Sequence, residues 1–290
     1  MVAVEVGAVV EAMVTGLGLG LAWRREIAGL VAELPGQRFT EVVAESLSPH
    51  EPLPAALAEL RGRGVTVVPH GVRLSLGGTD PLDPHRVTRL AGLASTLDAP
   101  LASEHIAFVR AGGHEAGHLL PLPRTREALQ VLTRNIGLVQ AELGVPLALE
   151  PIAALFDWPE DEYSEPDFVT ELLQRTGAWL LLDVANTYAN ARNRGLDPVT
   201  TLERLPLERV AYLHVAGGAA EPGGLGLYHD THTAPTPEPV LALLRGLSAR
   251  LGAQGPAVLL ERDGCYPPAS ELHAELDAVA LAAGLPRITR

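Results

Sequence analysis

Eight short apolar runs recur at near-even spacing along this sequence, each ending in a polar residue and each followed by a stretch with helical periodicity. They are Met13–Ala22, Phe39–Ala44, Val65–Pro69, Leu101–Ser103, Pro146–Leu149, Trp179–Leu182, Val210–Leu213 and Ala257–Leu260. Runs such as Trp179-Leu180-Leu181-Leu182 do not alternate apolar with polar, as expected of strands buried on both faces in a parallel sheet. Between them, Ile27, Leu30, Val31 and Leu34 fall at i, i+3, i+4 and i+7, and Leu272, Leu276, Val279 and Ala280 share a face in the same way. Asp80-Pro81 before residues 84–97 and Ser164-Glu165-Pro166 before 166–176 act as helix starts.

Eight strand-helix alternations over about 275 residues match a TIM (β/α)8 barrel in number, order and length. The alternative is an open doubly wound sheet, which usually carries a Gly-rich phosphate turn after its first strand. Gly16-Leu17-Gly18-Leu19-Gly20 has the spacing G-x-G-x-G and lacks the final x-x-G. No Pro-rich or Gly/Ser-rich linker divides the chain. We therefore expect an α/β chain of one TIM-barrel domain over residues 1–290, with residues 1–11 a disordered or extra N-terminal segment.

Composition removes several function classes. Hydrophobic residues make up 47% and the 24 prolines and 29 glycines are scattered, which excludes a disordered chain or a collagen-like fibre. The formal charge of −13 repels phosphate backbones and anionic lipid, so no nucleic-acid or membrane partner is expected. Cys265 is the one cysteine, so neither an internal disulfide nor a Cys-rich zinc site is available. Met1–Trp23 holds Glu5 and Glu11 and no basic residue before Arg24, unlike the positive start of a signal peptide, and no uncharged run is long enough to cross a membrane. The expected location is cytoplasmic.

The strand ends carry the chemistry. In chain order they bring Glu45, His70, Glu104-His105, Glu150, Asp183, His214 and Glu261, and in a barrel all of these ends face one bowl. A single such residue is more often a helix N-cap or a satisfied polar group. Independent caps, however, would include Ser, Thr and Asn as often as Glu and His. Burying this many anions together costs several kcal/mol per ion unless cations accompany them. Carboxylates with neutral imidazoles suit Zn, Mn, Fe or Co, and the ligands are too many for one tetrahedral ion. Two or three ions are the natural count. Asp230-x-His232 adds a pair that an extended segment can point to one side. His50, His85, His114, His229 and His273 are assigned to the surface, His118 stays open beside Leu119–Pro123, and Cys265 is expected as a small buried hydrophobe within reach of the bowl's rim.

At these residues the sequence resembles the domain-of-unknown-function family 692, xylose-isomerase-like TIM barrels that include the iron-containing methanobactin-biosynthesis protein. The resemblance is carried by Gly16-Leu17-Gly18-Leu19, Glu41-Val42-Val43-Ala44-Glu45, the stretch His70 to Gly77, Ser103-Glu104-His105, Leu119 to Pro123, Leu149-Glu150, Leu181-Leu182-Asp183-Val184, His214-x-Ala216-Gly217, Asp230-Thr231-His232 and Glu261-Arg262-Asp263. It implies metal ligands at His70, His105, Glu150, Asp183, His214, Asp230, His232 and Glu261, with Asn186 as a further ligand or near neighbour and Glu150 as a bridge. It also implies two or three irons, with Zn or Mn as metals the protein could carry on purification, and oxidation of a cysteine in a small ribosomally made peptide presented by a partner protein. Glu150, Asp183 and His105 are the expected catalytic members. Glu45, Arg73, Asn186, Arg192 and Arg262 are the expected substrate-binding residues. The sequence departs from the family where Pro151, Ala185, Ser46 and His118 replace residues common elsewhere in it, which bears on substrate choice more than on metal.

The other readings are a divalent-metal sugar isomerase or epimerase, an endonuclease-like phosphodiesterase, and a metal- or partner-binding protein without turnover. The phosphodiesterase is disfavoured by the negative charge. Every basic residue is arginine, so Schiff-base chemistry is excluded and lysine-dependent isomerase schemes are weakened.

Overall fold

The computed structural model describes residues 16–221, 223, 226–252 and 255–289. The expectation for residues 1–11 therefore lies outside the described residues, as does the start of the first run. In chain order the elements are β1 (Leu19–Leu21), α1 (Ala28–Glu33), β2 (Phe39–Val43), α2 (Ala55–Gly62), β3 (Thr66–His70), α3 (Pro84–Leu97), β4 (Ala102–Ile106), β5 (Phe108–Ala111), β6 (His114–Leu120), α4 (Arg126–Leu143), β7 (Leu147–Pro151), α5 (Glu165–Thr176), β8 (Trp179–Asp183), α6 (Val184–Asn193), α7 (Pro198–Glu203), β9 (Val210–Val215), β10 (Gly217–Ala220), β11 (Tyr228–Ala234), α8 (Glu238–Leu251), β12 (Ala257–Leu260) and α9 (Ala269–Ala283).

Eight strands pair in parallel in the order β1-β12-β9-β8-β7-β4-β3-β2. The ring closes through the parallel bridge between Trp23 and Val42 and the hydrogen bond from Trp23 N to Glu41 O at 2.8 Å. The chain is thus the expected barrel. Antiparallel hairpins β5–β6 and β10–β11 are inserted after β4 and β9, on the carboxyl-end rim. Gly217 and Gly218 allow the second hairpin to close: a Cβ at either would lie 2.2 Å from the carbonyl oxygen of Ala234 or of His229.

Side chains alternate along each strand, and the two faces form two cores. Outward residues such as Val42, Val67, Leu149, Leu180, Leu182 and Leu213 pack against the helices. Inward residues Phe39, Val68, Ala148, Leu181, Tyr212 and Leu259 fill the barrel. Two residues further along six of the strands the inward position turns polar: Val68 is followed by His70, Ser103 by His105, Ala148 by Glu150, Leu181 by Asp183, Tyr212 by His214 and Leu259 by Glu261, while on β2 the inward Glu41, level with Val68, is polar one step deeper. The apolar interior is therefore a floor beneath a polar layer. Several strands run further than the apolar runs suggest, because these inward polar residues still belong to them. The α5 start is capped by Ser164 as expected. The α3 start is not at Asp80-Pro81; Asp83 caps it, with Pro84 at the first helical position.

Candidate metal centre

The polar layer gathers His70, His105, Glu150, Asp183, His214 and Glu261 at the carboxyl ends of the barrel strands, joined by Asp230 and His232 from within β11 of the second hairpin. His105 Nε2 and His70 Nε2 lie 3.3 and 3.5 Å from Glu150 Oε2, and His214 Nδ1 lies 3.7 Å from Glu150 Oε1. Glu261 Oε2 is 3.2 Å from both His214 Nδ1 and His232 Nδ1. His232 Nε2 is 3.7 Å from Asp183 Oδ2 and 2.5 Å from Asp230 Oδ2. These residues fall into overlapping groups of three: His70–His105–Glu150, Glu150–Asp183–His214 and Asp183–His232–Glu261, each with its ligand atoms within 4.8 Å of one another.

Local sequence explains how each is aimed. Asp183 ends β8 and caps α6, its Oδ1 accepting from Ala185 N at 2.5 Å and Asn186 N at 3.0 Å, which leaves Oδ2 for the cluster. The cap and the candidate ligand are one carboxylate. Asn186, one turn on, donates through Nδ2 to Glu150 Oε1 at 3.2 Å and to Pro151 O at 3.2 Å. His105 Nδ1 meets Gly71 O at 3.1 Å, which turns Nε2 inward. His232 adopts φ +53, a left-handed conformation costly for a residue with a Cβ, and is pinned by the hydrogen bond from Asp263 N to its carbonyl at 2.9 Å.

The set fits metal ions. Glu150 Oε2, Asp183 Oδ2, Asp230 Oδ1 and His214 Nδ1 are buried with no hydrogen-bond partner among the described residues. Such atoms are costly unless something coordinates them. Without metal, protons serve as the counter-charge. Burial pulls His105 down, but Glu150 and Glu104 outweigh it and hold the imidazole up at about 9. Burial also opposes the charged forms of His214 and His232, yet facing carboxylates keep both well above the usual histidine value. Burial alone would raise Glu150, but His105, His214 and His70 pull it down to about 2. Burial and then the nearby Asp230 push Asp183 up to about 7.

A cavity of about 530 Å³ opens above the cluster, lined by His70, His105, Glu150, Asn186, Asp230, His232 and Glu261 and, at its mouth, by Arg24, Arg73 and His118. Of the expected substrate set, Arg73 and Asn186 line this cavity. The other three do not. Glu45 faces the chain after β3 and accepts from Val72 N at 3.1 Å. Arg192 is exposed, its guanidinium 5.2 Å from the Tyr228 ring centre. Arg262 follows Glu261 with opposite facing and is buried behind the sheet, 2.7 Å from Glu275 Oε2 on α9. Glu104 does not line the cavity: its Oε2 accepts from Leu74 N at 3.0 Å, and its Oε1 accepts from His105 N at 2.9 Å and lies 3.5 Å from His105 Nδ1. Cys265 is exposed rather than buried, since it lies in the loop beyond β12.

Two residues at the centre were not anticipated as site residues. Glu41, fully buried, faces inward from β2 and accepts from His214 Nε2 at 3.0 Å. Its signal was a carboxylate within an apolar run. Arg24, after β1, donates to Glu261 Oε1 at 2.6 Å and pairs with Asp263 at 2.7 Å.

A family model described as RiPP precursor modification enzyme MbnB/TglH/ChrH matches residues 18–283. A UPF0276 protein of Streptomyces avermitilis is 52% identical over 270 residues, covering 91% of this chain and 54% of that protein, so the chain spans about half the length of that relative. A UPF0276 protein of Caulobacter vibrioides is 36% identical over 262 residues, covering 90% of this chain and 92% of its own. Among solved structures, endonuclease IV from Thermus thermophilus superposes with a TM-score of 0.62 at 20% identity, covering 92% of this chain and 99% of its own. A xylose isomerase domain protein from Planctomyces limnophilus gives 0.57 at 15% identity, with 92% and 97% covered. At such identities these structures share the fold. The barrel order, the inward polar layer and the matched span together show that this chain belongs to the MbnB/TglH/ChrH family of RiPP precursor modification enzymes, xylose-isomerase-like barrels of domain-of-unknown-function family 692.

Proposed function

We propose that the chain is an iron-dependent oxidase with two or three iron ions that modifies a cysteine of a ribosomally made peptide presented by a partner protein. The observation that carries this is Glu150: one carboxylate lies between His70 and His105 on its Oε2 side and His214 on its Oε1 side, the arrangement a bridge between two ions needs. His70, His105 and Glu150 would hold one ion, and Asp183, His232 and Glu261 another, with Asp230 beside His232 and His214 between. Bound iron would supply electron exchange with dioxygen and a position for a thiolate, which suits a nitrogen and oxygen ligand set without cysteine.

The protein's own residues do the rest. Glu150, held ionised, keeps its charge between the histidines, and Asn186 fixes its orientation. The cavity walls formed by Val72, Val109 and Ile152 suit a cysteine side chain and exclude water around it, while Arg73 at the mouth suits a peptide carboxylate. Family membership favours a peptide precursor over a sugar.

The test is metal content by mass spectrometry on protein purified without oxygen, for the wild type and for His105→Ala and Glu150→Ala. It is followed by incubation of the iron-loaded protein with a short cysteine peptide, its partner and dioxygen. Two or three irons per chain, falling in both variants, and a mass change on the peptide's cysteine are the expected results. Zinc or manganese alone, with iron unable to replace it, would transfer the assignment to isomerase, epimerase or phosphodiesterase chemistry; a wild type without metal would defeat all of these.

A further inference from the structure

Beneath the cluster runs a hydrogen-bonded chain that the proposed chemistry does not itself use. His70 Nδ1 lies 2.8 Å from Ser103 Oγ, Ser103 Oγ 2.7 Å from Tyr212 Oη, Tyr212 Oη 2.6 Å from Glu41 Oε2, and Glu41 Oε2 3.0 Å from His214 Nε2. All five side chains are at most 2% exposed, so water does not compete for these bonds. The chain joins strands β3, β4, β9 and β2 and ends on two different candidate ligands.

Its direction follows from donor counting. Tyr212 Oη donates to Glu41 Oε2, and the same oxygen receives the His214 Nε2 proton. Tyr212 has spent its one proton, so its oxygen can only accept the proton of Ser103. Ser103, having given that proton away, can only accept from His70, whose Nδ1 therefore carries hydrogen. At His70 this leaves Nε2 with a free lone pair, facing Glu150 Oε2 at 3.5 Å; at His214 it fixes a proton on Nε2, so that Nδ1, facing Glu150 Oε1 at 3.7 Å and Glu261 Oε2 at 3.2 Å, is the nitrogen a metal would take in exchange for a proton.

We propose that Tyr212 is a positioning residue, which through Ser103 and Glu41 fixes the metal-binding tautomers of His70 and His214 from a single buried carboxylate. This makes Glu41 Oε2 the acceptor that orients both rings, while its Oε1, buried with no hydrogen-bond partner among the described residues, stays open to a cation beside His214 and Glu261. The inference rests on the metal-holding part of the proposed function and not on iron, dioxygen or peptide. In Tyr212→Phe, Ser103 loses its acceptor and can turn its proton toward His70 Nδ1. That admits the opposite tautomer, whose Nε2–H blocks the metal side. The ring itself stays packed against His214, 5.4 Å between centres.

The test uses nitrogen-15 spectra of the histidine rings in metal-free protein, with the His70 signals assigned by their loss in His70→Gln, and zinc affinity by competition with a chromophoric chelator. Wild type should show His70 in the Nδ1–H form alone, and Tyr212→Phe a mixture with the Nε2–H form. The tightest zinc constant should weaken roughly ten- to a hundredfold, the range for loss of a ligand's orienting partner. Ser103→Ala, which cuts the same chain elsewhere, should weaken zinc to a similar degree, and the double variant should be no worse than the poorer single one. An unchanged His70 tautomer in Tyr212→Phe, zinc affinity within twofold of wild type, or losses that add in full would overturn the proposal. A wild type that binds no zinc or iron would defeat the metal reading instead, and the His70 tautomer would still report on the chain.

Discussion

Removing metal should make this protein less stable as the solution becomes more alkaline, opposite to what metal binding does. In the metal-free cluster the protons on His105, His214 and His232 balance the buried carboxylates. A group raised on folding contributes stability that is fully present below its unfolded value and lost as pH rises through its folded value, because the native state then holds more protons than the unfolded one. For His105 the window runs from 6.5 to about 9, and the loss is about 3 kcal/mol. His214 and His232 act with the same sign. Asp183, raised from 3.8 to about 7, also loses stability with rising pH, mostly below this window. Glu150 acts only between about 2 and 4.5, where its contribution is lost as the solution becomes acidic. His70, lowered on folding, acts below 6.5. No shift in the cluster opposes the trend between pH 6.5 and 9.

The assay is urea unfolding with a chelator present at pH 6.5, 7.5, 8.5 and 9.5, comparing extrapolated stabilities at constant m. The expected result is a fall of at least about 3 kcal/mol for the metal-free wild type, and a slope shallower by about that amount in His105→Gln. With saturating metal the slope should reverse above pH 6.5, since ions bind only the deprotonated ligands and gain affinity as protons leave. A metal-free curve that is flat or rising over this range would refute the reasoning that protons stand in for the metals.

Three further outcomes separate structural from site roles. Asp183→Asn keeps a side-chain acceptor for the α6 cap, where Asn and Asp are about equal, so it should hold or raise metal-free stability at pH 8 while metal content falls; Asp183→Ala should cost about 1 kcal/mol more. Arg262→Ala leaves Glu275 buried without its cation and should cost about 3 kcal/mol in urea unfolding, yet metal content should be that of the wild type. Gly217→Ala, whose new Cβ would lie 2.2 Å from Ala234 O, should displace hairpin β10–β11 and with it Asp230 and His232, seen as loss of the metal they hold and a thermal midpoint lowered by a cost of about 1–3 kcal/mol.

Why most members of the polar cluster but not all their neighbours are legible in the sequence lies in strand alternation. In a parallel barrel both faces of a strand are apolar until the inward face reaches the bowl. The first polar residue after an apolar run is therefore often an inward one, as His70, Asp183 and Glu261 are. The same rule misleads by one position. Glu104 and Arg262 sit beside true inward residues and share their sequence signal, but a shift of one residue turns a side chain to the opposite face. There they meet Leu74 N and Glu275 instead of the cavity. Glu41 was missed for the complementary reason. It lies one inward step deeper than the bowl, where every other strand but β4 and β9 carries an apolar residue, and its neighbours Val42 and Val43 make the run look closed.

Those exceptions are linked. Glu41, Ser103 and Tyr212 are the inward polar groups of the floor layer from β2, β4 and β9, and each would be an unsatisfied burial taken alone. No local pattern distinguishes Ser103 within Ala102-Ser103-Glu104 or Tyr212 within Ala211-Tyr212-Leu213, since a serine or tyrosine in a strand is ordinary. Only the register that sets β2, β4 and β9 around one ring makes them partners, and sequence separations of 109 and 171 residues hide it. The upper polar layer is legible because its residue types are rare inside strands. The layer beneath it is not, because its meaning is a set of distances between common residues, and it is this layer that sets which nitrogen His70 and His214 turn toward the cluster.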